Sequence, residues 1–136
     1  MGKALGIDYG TKRTGIAITD AMQIIAGGLT TVATHLLDDF LTDLVQKESI
    51  ACFVVGDPKN LDGSNTDSTG HVNGFIKRLQ KTYPTIPVHQ IDERFTSKIA
   101  KQSILASGIK KKGRQNKVLV DQVSATIILQ NYLDYK

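Results

Sequence analysis

Acidic residues stand where three separate apolar segments of the chain begin or end. Asp8 follows the first apolar run, Asp92 and Glu93 follow a later one, and Asp121 lies near the start of the last. The carboxyl ends of parallel strands share one edge of an α/β sheet, and ligands usually bind there. Asp8 and the Asp92-Glu93 pair are therefore expected at one edge, and a helix packed across that edge could contribute Asp121.

Converging carboxylates repel one another unless a cation neutralises them, so such a site predicts bound Mg²⁺ or Mn²⁺. Divalent ions held this way support phosphodiester hydrolysis, by activating water and stabilising the leaving oxygen. Lys12 and Arg13 lie in the turn after the first acid and would meet a phosphate backbone. Each acid taken alone also has a structural explanation, as a turn cap, an ion-pair partner or a favourable charge near a helix N-terminus.

The elements that must position these residues follow from apolar periodicity and turn signals. They predict a mixed α/β sheet of five strands, three antiparallel and then parallel, with helices on both faces. The expected strands cover residues 3–8, 15–19, 28–32, 50–55 and 88–92, and the expected helices cover residues 36–45, 72–83, 96–107 and 118–133.

Length and composition indicate a globular protein with one domain, residues 1–136. Its one cysteine, Cys52, lies inside an apolar strand and is expected to be a buried, reduced thiol, which fits a cytoplasmic protein. No apolar run approaches the roughly 20 residues that span a bilayer, so no membrane association is expected.

The basic residues are concentrated late in the chain. The formal net charge is +4, and the segment from Lys98 to Lys117 holds seven Lys or Arg residues and no acid. Such a segment is typical either of a solvated helix and loop or of a surface that faces a polyanion. The second interpretation predicts nucleic-acid contacts from Lys110, Lys111, Lys112 and Arg114.

Four motifs, in order and spacing, resemble the YqgF/RuvX family over nearly the whole chain: GIDYGTKRTGIAI, VVGDPKNLDGS, DERFTS and DQVSATIILQ. The resemblance implies an RNase H-like fold related to the Holliday-junction resolvases. It also implies a nuclease that matures the 5′ end of pre-16S ribosomal RNA, although older assignments made members of the family junction resolvases.

The resemblance assigns residue roles as well. It implies that Asp8, Glu93 and Asp121 are the catalytic and metal-binding acids. It also implies that Lys12, Arg13, Arg94 and Thr96 serve the substrate. The chain departs from the family pattern at Asp57, where an apolar residue is usual, and an extra acid there could join the metal set or disturb it.

The sequence therefore predicts a metal-dependent endonuclease acting on structured RNA, as a monomer or a homodimer. A resolvase acting on DNA junctions with the same chemistry remains open, because both backbones present the same phosphate. A largely non-catalytic ribosome-assembly factor would use the basic segment alone. A phosphotransferase is disfavoured, because that class usually needs two such lobes.

Overall fold

The computed structural model describes residues 2–57, 69–92 and 117–135, with the backbone alone described at positions 57, 69, 92, 117–122 and 135. A short 3₁₀ helix, Thr34–Leu36, precedes the first α-helix. The strands are β1 (Lys3–Asp8), β2 (Arg13–Thr19), β3 (Ala26–Ala33), β4 (Ile50–Asp57) and β5 (Val88–Asp92), and the α-helices are α1 (Leu37–Lys47), α2 (Thr69–Thr82) and α3 (Lys117–Tyr135).

The five strands form one sheet in the order β3-β2-β1-β4-β5. The β1–β2 and β2–β3 pairs are antiparallel, whereas β1–β4 and β4–β5 are parallel. This arrangement confirms the predicted mixed sheet. Because β1, β4 and β5 run in one direction, they end at the same edge, called here the carboxyl edge, where Asp8, Asp57 and Asp92 are the last strand residues.

Helices cover both faces of the sheet, as predicted. On one face, the α1/α2 face, Leu5, Ile7, Phe53 and Val55 pack with apolar residues of α1 and α2. On the other, the α3 face, the neighbouring strand positions pack against Ala125, Ile128 and Leu129. Alternate residues of β4 are thus buried on opposite faces, which explains why its sequence is continuously apolar. Cys52 is buried among them, as expected.

Some boundaries differ from the sequence prediction. β2 begins at Arg13 and β3 extends to Ala33 because these two residues pair across the sheet, a contact that apolar patterning does not report. Leu36 was assigned to the apolar stripe of α1, which is wrong. It belongs to the 3₁₀ turn, where the altered winding leaves it 52% exposed. The strand predicted over residues 50–55 runs two residues further, so that Asp57 ends β4.

The helix predicted over residues 96–107 lies outside the described residues. Among the helices that are described, none is long and apolar enough to cross a membrane.

Candidate active site

Asp8 is the last residue of β1, half-buried, and it points to the α3 face. It lies opposite Gly15 of β2. Side chains alternate along a strand, so Ala4, Gly6 and Asp8 share one face. Ala4 packs in the cluster formed with α3, and Gly6 lies directly beneath Leu129. The predicted acid therefore faces the helix that carries Asp121.

Two contacts show that α3 advances toward the carboxyl edge as it is followed back to its start. Near the opposite edge, the Cys52 thiol lies 3.7 Å from the hydroxyl of Tyr132, late in the helix. Cys52 pairs with Ala4 of β1, and Gly6, two residues closer to the carboxyl edge, approaches Ala125 and Leu129. From Tyr132 to Ala125 the helix thus crosses from β4 to β1 and advances toward the carboxyl edge, and it also packs on β2 and β3. Position 121 is one helical turn, about 5.4 Å, before Ala125, so the same direction carries its backbone from Gly6 toward the edge where Asp8 ends β1.

The register of β4 and β5 shows that positions 57 and 92 belong to the face of the sheet opposite that of Asp8. Asp57 pairs with Asp92. Ile91 packs in the α3 cluster, and the ring of His89 stacks on Tyr132 of α3, with centroids 5.1 Å apart. Alternation along β5 then assigns position 92 to the other row, on the α1/α2 face. Asp8 and position 92 are thereby placed on opposite faces of the sheet.

The turn between β1 and β2 carries the two basic residues predicted to meet substrate. Lys12 is exposed and Arg13 is half-buried at the start of β2. Before them, the ring of Tyr9 stacks on Phe75 of α2, with centroids 4.6 Å apart. Tyr9 therefore anchors the turn to the α1/α2 face by packing. The backbone amide of Thr34 donates a hydrogen bond to the carbonyl of Lys12 at 2.9 Å.

Gly10 is required in this turn for close packing. A Cβ atom at this position would collide with the carbonyl oxygen of Arg13, a backbone atom that cannot rotate away. Gly10→Ala is therefore expected to open the turn and to lower the free energy of unfolding by about 1–3 kcal/mol, as overpacking does.

Denaturant unfolding measures this effect. Gly27→Ala is the matched control, because a Cβ atom there meets nothing within 4 Å. Equal stability of the two variants would contradict the tight turn.

Several predicted site residues lie outside the described residues, or have only their backbone described. Among the side chains that are described, no group of three His, Cys, Asp or Glu residues is placed to hold a metal ion. The side chain of Asp121 is not described, and the following lie wholly outside the described ranges: Glu93, Arg94, Thr96, Lys110, Lys111, Lys112 and Arg114.

A cavity lies away from the carboxyl-edge acids, between α1 and the second half of α2. Its volume is about 290 Å³, and its lining includes Asp38, Thr42, Arg78 and Tyr83. Asp38 and Arg78 approach to 3.7 Å there. None of the predicted site residues is among the described residues that line it.

Comparison with known proteins supplies a family. The family model described as "RuvX: Holliday junction resolvase" matches residues 2–135. A protein of Flavobacterium johnsoniae named "Putative pre-16S rRNA nuclease" is 52% identical over 136 residues, which cover all of this chain and 99% of that protein. A protein of Phocaeicola vulgatus with the same name is also 52% identical, over all of this chain and 98% of its own length.

Solved structures share the fold. RuvC of T. thermophilus, in a complex with a Holliday junction substrate, superposes with a TM-score of 0.60 at 15% identity, over 99% of this chain and 96% of that one. A second Thermus thermophilus RuvC structure gives a TM-score of 0.53 at 14% identity, over 98% and 96% of the two chains. The mixed sheet with helices on both faces is thus the RuvC-like, RNase H-like fold.

Proposed function

The chain belongs to the RuvX family of nucleases, and on that basis we propose that it is a metal-dependent endonuclease that processes the 5′ end of pre-16S rRNA in the cytoplasm. One observation supports the proposal most strongly: from Tyr132 to Ala125, α3 advances toward the carboxyl edge, so position 121, one turn before Ala125, lies toward the edge at which Asp8 ends β1. The names of the relatives, at about half identity over the whole chain, support the choice of substrate.

Asp8, Glu93 and Asp121 form the proposed metal-binding set. Asp8 faces α3, and position 92 belongs to the opposite row of β5. The position of Asp92 on the row opposite Asp8 counts against Asp92 as the third acid, and the family resemblance supplies Glu93 in its place. By the same alternation Asp57, which pairs with Asp92, is left out of the set.

Three carboxylates from three elements fit a hard divalent cation, which prefers oxygen ligands. Bound there, Mg²⁺ or Mn²⁺ would lower the pKa of a water molecule and stabilise the leaving oxygen during phosphodiester hydrolysis.

The protein's own contribution is to hold the substrate beside these acids. Lys12 and Arg13 emerge from the turn that follows Asp8, on the same edge of the sheet. We assign them to the phosphate backbone, where contacts position a nucleic acid without reading its sequence. Arg94 and Thr96 follow Glu93 and are assigned to the same role, and the basic segment with Lys110, Lys111, Lys112 and Arg114 would extend the contact along the strand.

Cleavage of two substrates side by side tests the proposal. With Mg²⁺ or Mn²⁺, the purified protein is expected to cut an RNA spanning the pre-16S 5′ boundary, and to leave a four-way DNA junction largely intact. Lys12→Gln combined with Arg13→Gln should raise KM for the RNA more than it lowers kcat, because phosphate contacts bind ground state and transition state alike.

Junction resolution is the second candidate, favoured by the description of the family model. Paired cuts in the DNA junction with intact RNA would replace the proposed function by this one. A resolvase must also place two sites on one junction, so a protein that stays monomeric when bound to the junction would count against it.

A further inference from the structure

We propose that Thr34 is a positioning residue for substrate binding, which holds the turn carrying Lys12 and Arg13 in place beside Asp8. This inference rests on the proposed function, because it assumes that the turn meets a nucleic-acid backbone. Thr34 lies outside all four sequence motifs and begins the 3₁₀ helix after β3, 22 residues along the chain from Lys12.

Thr34 contacts both ends of the turn. Its backbone amide donates to the carbonyl of Lys12 at 2.9 Å, and its hydroxyl donates to the carbonyl of Gly10 at 2.6 Å. A third contact joins its hydroxyl oxygen to that of Thr14, at 3.0 Å. The hydroxyl of Thr34 therefore connects Gly10, two residues before the basic pair, to Thr14 of β2, the residue after it.

The direction of these hydrogen bonds is determined by the groups themselves. A carbonyl only accepts, so the single hydroxyl proton of Thr34 points to Gly10. The hydroxyl of Thr14 must then donate to Thr34. Thr14 is fully buried. Removing the hydroxyl of Thr34 would leave the Thr14 donor and the Gly10 acceptor without the partners they have in this chain of bonds.

The geometry of the turn explains why this loss would reach the substrate. Gly10 packs too closely on Arg13 to carry a Cβ atom, so the native turn is compact. Tyr9 secures one side of it on Phe75. On the exposed Lys12 side, the Thr34 amide holds the carbonyl of Lys12, and the Thr34 hydroxyl holds the carbonyl of Gly10, where the turn begins. Without the hydroxyl, Lys12 and Arg13 would sample more conformations, and binding would have to order them at an entropic cost.

Thr34→Val keeps the shape of the side chain and deletes the hydroxyl. We expect it to weaken binding of the pre-16S RNA fragment roughly 3- to 10-fold, the range typical of a lost buried hydrogen bond. The slope of log K against log salt should fall by about 0.7–0.9 if one phosphate contact is lost. Fluorescence anisotropy in the absence of divalent ions measures both, so the result does not depend on cleavage.

Two variants separate positioning from general damage. Thr34→Ser retains the hydroxyl and should restore wild-type affinity. Thr42→Val deletes a hydroxyl on α1 that bonds the Asp38 carbonyl, away from the turn, and should bind normally. If Thr34→Val does not fold, Thr34→Ala supplies the same comparison, and hydrogen exchange of the amides at positions 10–13 should be faster in whichever variant is used.

The outcomes distinguish this inference from the proposed function. The same titrations are made with a four-way DNA junction. Whichever nucleic acid the wild type binds more tightly is then used to compare the affinities of the wild type and Thr34→Val. A wild type that binds but does not cut contradicts the proposed function alone. Thr34→Val with wild-type affinity and salt slope on the preferred probe overturns the positioning role, as does failure of the wild type to bind either nucleic acid.

Discussion

Asp8→Asn is expected to abolish RNA cleavage while leaving the fold intact. The change keeps the size of the side chain but removes its charge, at the end of β1 on the face that α3 covers. Loss of an outer-shell partner at a metal site costs about 10- to 100-fold. Loss of a direct carboxylate ligand should therefore lower kcat/KM by more than roughly 100-fold, measured on the pre-16S fragment under single-turnover conditions.

Asp43→Asn is the matched control for this prediction. Asp43 is an exposed residue of α1 that pairs with Lys47 at 2.9 Å, and such surface pairs contribute little to stability. The variant carries the same chemical change and should cut at the wild-type rate.

A thermal melt adds a readout independent of cleavage. A ligand that binds only the folded state, at 100 times its Kd, stabilises by about 2.7 kcal/mol, so Mn²⁺ should raise the Tm of the wild type and of Asp43→Asn. It should not raise that of Asp8→Asn. If Asp8→Asn cuts RNA normally, Asp8 is not a ligand.

Local patterns in the sequence were enough to predict most elements of the fold. The apolar run of β4 indicated a strand covered on both faces, and Phe53, Val54 and Val55 are indeed fully buried. Three strands that follow one another without a helix predicted antiparallel pairing, and the later strands, separated by helices, predicted parallel pairing. These features depend on neighbouring residues, so they can be deduced without knowing distant contacts.

The site itself could be predicted only in part. The sequence indicated that Asp8 ends a strand, but the face it points to depends on the contact of Gly6 with Leu129, residues far apart in the chain. Likewise, the sequence does not show which face of the sheet position 92 belongs to, and this face follows only from the packing of Ile91 on the α3 face. The resemblance implies Glu93, and the register shows only that Asp92 lies on the face opposite Asp8.

Thr34 had no sequence signal at all. Threonine is common at the start of helical turns, and its two partners in the turn are 22 and 24 residues away. In the same way, Leu36 was misplaced because the phase of a 3₁₀ turn differs from that of the α-helix it precedes. Both residues belong to the 3₁₀ turn that follows β3, and neither the turn nor its contacts can be deduced from the local sequence pattern.

Gly6→Ala is expected to lower both stability and activity, because the position of α3 depends on this glycine. A Cβ atom at Gly6 would lie 2.8 Å from the Cβ atom of Leu129 and 3.0 Å from the carbonyl oxygen of Ala125. Neither atom belongs to the free end of a side chain, so the helix itself must move away from β1. Overpacking of this kind costs about 1–3 kcal/mol.

The displacement matters for function since Asp121 lies one turn before Ala125 in the same helix. Moving the helix away from Gly6 would move one proposed carboxylate away from another, and a catalytic group misplaced by about 1 Å can cost 100-fold in rate. Gly6→Ala should therefore lose activity even at a temperature where it remains folded, and should need more Mn²⁺ for half-maximal cleavage than the wild type.

Gly74→Ala is the matched control. Gly74 lies in α2, and a Cβ atom there would meet nothing within 4 Å. Alanine should stabilise that exposed helix position by about 0.5–1 kcal/mol, with unchanged cleavage. If Gly6→Ala keeps the manganese requirement and the rate of the wild type, then the close approach of α3 to β1 at Gly6 does not set the distance between the proposed metal-binding acids.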